Sequence, residues 1–528
     1  MLAVACGGDD TALSIAAGGG RARCSECAEA GASGASGDAQ HGSAGEGGAV
    51  ATVGSTHEAG AAGEAGAAGE TNEPRVTNGV AISEISLWQT VRVPLELSGT
   101  SAQPNAPLVT GKPGIVRVFV EPGASYRARQ LSAILSWGAG ANALPAQSSK
   151  VISKPSENGD FGTTFNFPLD GSSVRATQSY SVELRDGPNG PLLDRYPPSG
   201  TAALATETAG PTLNVVVVPL VVAGVTPDTS ASTLDKLRAR VLSLYPLADF
   251  TLSAHAPIVS SIAVGPDSGW DETLDELYAL RAQDAPADNT YYFGLFTPTK
   301  SFNVYCVSDC TVGLSQVAGP NEIEYRGSIG LGIFADGSNA DAADTMAHEL
   351  GHALGRQHSP CMVAAPAGYP YAGGKIGVWG FDSLNHLLLD PALYGDVMGY
   401  CSPDWISDYT YRALFNRIQY VNGLAAQAEI RRTDVSSIPY RRVLVDVRGG
   451  LHWGARFVPT EPTSGQALPV ILLGAQGQEL GNVAGYARSL SDEKSAFVLV
   501  PEAELEPQSG VTAIRVLGAE LALDASLP

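Results

Sequence analysis

Basic side chains are scarce in this chain. Lys and Arg number 32 against 54 Asp and Glu, a formal net charge of −22 over 528 residues. Without a basic surplus to neutralise phosphates, nucleic acid is not expected as a partner. The acidity reads instead as solubility in an extracellular setting. Long apolar runs are missing too. The most apolar stretch, 213–223, is short and contains Pro219, well under the ~18 residues of a transmembrane helix. Histidine occurs 8 times, cysteine 7 times and methionine 4 times. The chain is long enough for about three domains, and a hydrophobic content of 44% allows a substantial core.

Against that scarcity, three histidines fall close together in His348-Glu349-Leu350-Gly351-His352-Ala353-Leu354-Gly355-Arg356-Gln357-His358. The pattern is H-E-x-x-H-x-x-G-x-x-H. His348 and His352 are four apart, one turn of a helix, and so share a face. Two imidazoles so placed can share a metal ion, and neutral imidazole suits zinc. Glu349 is not needed as a ligand and can take a proton from a water on the metal. Gly355 can adopt the left-handed conformation that ends a helix, bringing His358 round as a third ligand. Three protein ligands with an open fourth position mark a catalytic rather than a structural zinc. The bland alternative is an amphipathic helix with satisfied histidines.

The extended motif resembles the signature of the metzincins, a superfamily of zinc endopeptidases. Its members also carry a methionine-containing turn beneath the zinc, and Asp396-Val397-Met398-Gly399-Tyr400-Cys401 looks like that turn, with Met398 as its methionine. The resemblance covers about residues 213–423. It implies one catalytic zinc ion on His348, His352 and His358, Glu349 as general base, and Met398 as structural support. A tyrosine at the place of Tyr400 helps stabilise the transition state in the astacin-like and serralysin-like branches. Ser359 resembles the matrixin branch, so the markers disagree on subfamily. The resemblance also implies that the segments of Cys361 and Cys401 lie near the zinc, where a disulfide would tie them. Cys306 and Cys310 are close enough to close a small loop. Paired cysteines suggest an oxidising compartment; four free buried thiols are the alternative.

Along the chain, Met1-Leu2-Ala3-Val4-Ala5-Cys6 followed by a polar, glycine-rich stretch looks like the end of a bacterial lipoprotein signal, with lipid attachment at Cys6, but the basic n-region and longer apolar core are missing. Cys24-x-x-Cys27 is a lone pair in low-complexity sequence. Residues 1–78 read as signal remnant and a flexible Gly/Ala/Ser-rich tether. From 79 to 210 the apolar residues alternate, as in Ile85, Leu87 and then Val91, Val93, Leu95, and in Val116, Val118, Val120, which predicts an antiparallel sandwich-like domain. From 211 to 425 the pattern is α+β. A buried strand at 215–218 is followed by helices around 234–244 and 271–282. Strands follow at 290–296 and 328–334, then the motif helix at 341–354. In the family that it resembles, the strand before the motif helix is an edge that pairs with extended substrate, and 327–334 is the candidate. Ser407 or Asp408 caps a further helix that Gly423 is expected to stop. Period-two runs return from 426 to 528 as a C-terminal β domain.

The fold class expected is therefore a metzincin-like α+β catalytic domain flanked by all-β domains. The function expected is a secreted or surface-anchored zinc endopeptidase acting on a protein, peptide or glycoprotein, outside the cell or at a bacterial cell surface. The alternatives are an adhesion or glycan-binding protein with an inactive or restricted protease core, and a zinc hydrolase of a non-peptide amide. His386 reads as a surface or core histidine rather than a fourth ligand. Asp382, Asp390 and Asp396 could bind structural Ca2+, but without a calcium-loop spacing they read as solvated carboxylates.

Overall fold

The computed structural model describes residues 79–138, 144–210, 212–338, 341–365, 367–425, 438–459, 465–505 and 510–523. Cys6, Cys24, Cys27 and the tether lie outside the described residues. The architecture is multidomain and mostly β, with few helices.

The alternating apolar residues at the start build two antiparallel five-stranded sheets. One runs Thr100–Ser101, Arg92–Leu97, Val80–Trp88, Gly114–Pro122, Phe165–Leu169 in spatial order. The other is centred on Thr177–Arg185 and Arg129–Gly138. Ile85, Leu87, Val116, Val118 and Val120 are all fully buried between them. Alternation weakens in Val80–Trp88 because its outer face is covered as well. There Trp88, Ile115 and Phe119 pack on Phe381. The buried Arg117 guanidinium lies 4.5 Å from the Trp88 ring centroid, and its Nη1 donates to the Asn158 carbonyl at 2.6 Å.

The middle of the chain forms a mixed sheet. Its order is Thr251–Ala254, Asn214–Val221, Thr290–Phe296, Gly327–Leu331, Gly313–Ser315. The first four strands are parallel, and Gly313–Ser315 is antiparallel at the edge. Strands covered on both faces read as continuous apolar runs, and here each face has its own core. Val215, Val217, Phe293 and Leu295 face the helices Ala231–Leu244 and Ala342–Ala353. Leu220, Phe296 and Ile329 face the helix Trp270–Asp284.

The C-terminal strands form one antiparallel seven-stranded sheet, from Leu451–Phe457 at one edge to Ala519–Ala522 at the other. The helix Trp270–Asp284 is packed between it and the mixed sheet, with Tyr278 against Phe497. Arg442 from the C-terminal sheet forms a buried ion pair with Asp275 of that helix. On the other side, Lys112 of the first sheet pair donates to the carbonyls of Leu242 at 2.6 Å and Tyr245 at 3.0 Å, where the helix Ala231–Leu244 ends.

Three expectations need correction. The strand at 327–331 is internal, held by strands on both sides; the edge is Gly313–Ser315. Gly423 does not stop the last helix, which runs Asp408–Ala425, because it keeps a negative φ and does not take the left-handed conformation that would end it. Asp382 and Asp396 are buried rather than solvated. Asp382 caps its own turn at the amides of Leu384 and Asn385, and Asp390 caps Ala392.

Candidate metal centre

The helix Ala342–Ala353 carries the first two histidines of the motif and packs against the strand Gly327–Leu331 and the helix Ala231–Leu244 through Met346, Ala347 and Leu350. It ends where glycine permits. Gly355 has φ +80°, its amide donates to the His352 carbonyl at 2.7 Å, and the Arg356 amide donates to the Gly351 carbonyl at 2.9 Å. The reversed chain returns His358 to the other two. One nitrogen from each of the three rings lies within 4.8 Å of the others. His352 Nε2 is 3.0 Å from His348 Nε2 and 3.2 Å from His358 Nε2.

The partners of the other ring nitrogens fix the tautomers. His348 Nδ1 meets the Val397 carbonyl at 2.7 Å, His352 Nδ1 the Arg356 carbonyl at 2.6 Å, and His358 Nδ1 the Glu493 carboxylate at 3.2 Å. All three partners are acceptors, so each Nδ1 carries the proton and each Nε2 presents a lone pair. Burial also favours the uncharged form of the two helix histidines: it pulls His348 down to about 4 and His352 well below its usual value, and the neighbouring histidines add to both shifts. Three converging lone pairs repel one another unless a cation lies between them. Their spacing is near the roughly 3.3 Å edge of a tetrahedron of nitrogens bound at about 2.0–2.1 Å, so the residues fit zinc.

Glu349 is buried at 6% exposure on the same helix. Burial pushes its carboxyl up to about 8, the Ser491 hydroxyl hydrogen bond opposes the rise, and Asp492 adds to it. Gly313, on the edge strand, lies hard against its side chain. Met398 lies under the helix: a Cβ on Gly351 would come within 2.6 Å of its sulfur. Buried Asp396 holds that turn, accepting from the amides of Met398 and Ser407, both at 2.9 Å. Tyr400 is 41% exposed, with its ring centroid 4.9 Å from that of His358 and 5.8 Å from that of His348. The disulfides Cys361–Cys401 and Cys306–Cys310 are both present, the first joining the segment after His358 to the methionine turn. His386 is exposed in the turn between Gly380–Asp382 and Leu387–Leu389, outside the histidine cluster. No helix among the described residues is long and apolar enough to cross a membrane.

Sequence reasoning missed Gly313, Ser491 and Glu493. Glycine at an edge strand next to a motif carboxylate was a readable signal only once the strand order was known. Nothing local marks Ser491 or Glu493.

No curated protein matches the chain. Among solved structures, it is similar to a beta-glucuronidase of Bacteroides uniformis at 10% identity and a TM-score of 0.16, covering 42% of this chain and 29% of that one. A calcium-binding mutant of Bacteroides uniformis beta-glucuronidase 2 gives 9% identity, a TM-score of 0.13, and 42% and 28% coverage. The chain thus spans under a third of the length of either. Residues 315–400, which contain the three histidines, Met398 and Tyr400, match the family Peptidase M66, so this stretch indicates a peptidase family.

Proposed function

We propose that the chain is a zinc-dependent endopeptidase of the metzincin kind, secreted or held at a cell surface, whose catalytic region is 211–425 between β domains at 79–210 and 426–528. The observation that carries this reading is the convergence of three imidazole lone pairs beside a buried glutamate. The match to Peptidase M66, a metallopeptidase family, agrees with it. The two disulfides agree with an oxidising location.

His348, His352 and His358 would hold the ion. Bound there, it would supply Lewis acidity for the scissile carbonyl and for a nucleophilic water near neutral pH. Glu349 accepts the proton of the attacking water and returns it to the leaving amine. Its burial favours the neutral acid, which suits the second of those tasks. The Tyr400 phenol, on the ring beside His358, donates to the oxygen on which charge develops. Met398 does no chemistry and fixes the height of the helix through Gly351. The edge strand at Gly313, which the C-terminal turn covers only in part, is where an extended peptide would add, which supports protein or peptide as the substrate.

The test is metal content and cleavage together. The purified chain should carry about one zinc and cleave an unfolded protein, and His352→Ala should lose both. Full zinc content in that variant would remove the ligand assignment.

A further inference from the structure

The edge of the mixed sheet is partly covered, and what covers it comes from the far end of the chain. The turn between Glu479–Ser489 and Ala496–Pro501 of the C-terminal sheet runs antiparallel to the edge strand, with Leu490 opposite Gln316. The Ser491 amide donates to the Ser315 carbonyl at 2.8 Å, and the Ser315 amide donates to Ser491 Oγ at 2.9 Å. Gln316 Nε2 donates to the Ser489 carbonyl at 3.2 Å. These bonds fix the turn to the strand that carries Gly313.

Two side chains of this turn reach the metal centre. Ser491, 4% exposed, donates its hydroxyl to Glu349 Oε2 at 3.2 Å. Two residues on, the Glu493 carboxylate lies 3.2 Å from His358 Nδ1 across 135 residues of sequence. Asp492 tightens the turn between them, accepting from the amides of Lys494 at 3.0 Å and Ser495 at 2.9 Å. Glu493 itself has φ +58°, a conformation that disfavours any residue with a Cβ. Glycine or asparagine would suit the turn better. A glutamate held there presents its carboxylate to the histidine, and local strain of this kind belongs to functional sites.

The three histidines differ in what holds them. His348 and His352 rest on backbone carbonyls of the motif's own surroundings, from Val397 and Arg356. His358 is the one whose Nδ1 faces a charged acceptor, and the C-terminal sheet supplies it. A carboxylate behind a ligating imidazole fixes its tautomer, holds its plane and raises its basicity.

We propose, resting on the zinc reading above, that Glu493 is a positioning residue for His358 and Ser491 a positioning residue for Glu349. The C-terminal sheet thereby completes the metal centre. Its turn is part of the catalytic apparatus, and the sheet is not an appended module.

The experiment uses the full chain and reads zinc affinity by competition with a chromogenic chelator, alongside kcat and KM on an unfolded protein substrate. Glu493→Ala should weaken zinc binding by about 10–100-fold, and Glu493→Gln, which keeps an acceptor without the charge, should lose less. Ser491→Ala should keep zinc affinity within about twofold and lower kcat with KM little changed, since it touches the base and not a ligand. Lys494→Ala, an exposed neighbour in the same turn, should bind zinc as the parent chain does. Unchanged zinc affinity in Glu493→Ala would overturn the assignment. So would faster cleavage by Glu493→Ala, which would make the turn a plug in the cleft. A parent chain that binds no zinc would instead remove the zinc reading and this one with it.

Discussion

Gly313 and Glu349 meet so closely that a Cβ on residue 313 would come within 2.5 Å of Glu349 Oε1. The edge strand and the carboxylate proposed as general base therefore constrain each other. Gly313→Ala should push the carboxylate aside while leaving the three histidines in place. The expected result is a fall in kcat on the order of 10²-fold, the scale of a displaced proton acceptor, with zinc content unchanged. Steady-state kinetics with metal analysis on the same sample checks both halves.

The ion pair between Asp275 and Arg442 joins the helix behind the mixed sheet to the C-terminal sheet. Both side chains are under 10% exposed, at 9% and 4%. Removing one partner strands the other charge, with the Arg442 guanidinium left among the Tyr278, Tyr325, Phe457 and Phe497 rings. Asp275→Ala should lower stability by about 3–5 kcal/mol. The double change Asp275→Leu with Arg442→Met should recover much of that loss. Urea unfolding of the three proteins gives the comparison.

Lys112 gives a pH dependence whose sign follows from its burial. Desolvation lowers its ammonium to about 7 from 10.5, against the pull of the carbonyls that accept from it. Below that folded value both states are protonated, so their difference does not change with pH. Between about 7 and 10.5 the unfolded chain binds the proton that the folded chain has released, and stability rises with pH through that window. Relative to Lys112→Met, the parent chain should gain up to about 1 kcal/mol per pH unit between pH 8 and 10. Paired unfolding curves across that range read the slope, and a falling difference would contradict it.

The Cys361–Cys401 disulfide closes a loop with a sequence separation of 40. By loop entropy, opening it should destabilise the chain by up to about 4 kcal/mol. It should also loosen Tyr400, whose amide donates to the Cys361 carbonyl at 3.0 Å. The double change Cys361→Ser with Cys401→Ser should lower kcat more than zinc affinity, checked by thermal unfolding and turnover.

What could be read from the sequence was what neighbours in sequence decide. The spacing of His348, His352 and His358 needed only one helix and one left-handed glycine, and Gly355 supplies it. The helix Ala231–Leu244 was likewise legible from its apolar periodicity, and the strand Thr290–Phe296 from a continuous apolar run. The edge strand was not, because Gly313–Ser315 has three residues, too few to show a period. The internal strand Gly327–Leu331 reads as the edge because the resemblance puts an edge strand just before the motif helix, and its glycines allow another backbone close. The space over those glycines is filled by the Tyr278 and Phe293 side chains and not by a backbone. Glu493 was invisible for a different reason. Its meaning comes from a contact 135 residues away, and in its own surroundings it is a charged residue in a polar turn.

The most direct measurement is hydrolysis of casein by the full chain and by Glu349→Ala, with zinc measured in both. Cleavage by the parent chain, lost by at least about 10²-fold in Glu349→Ala and abolished by a chelator, with equal zinc in the two proteins, is the expected result. Equal cleavage by the two proteins, or cleavage that survives chelation, would contradict a zinc peptidase that uses Glu349 as its base.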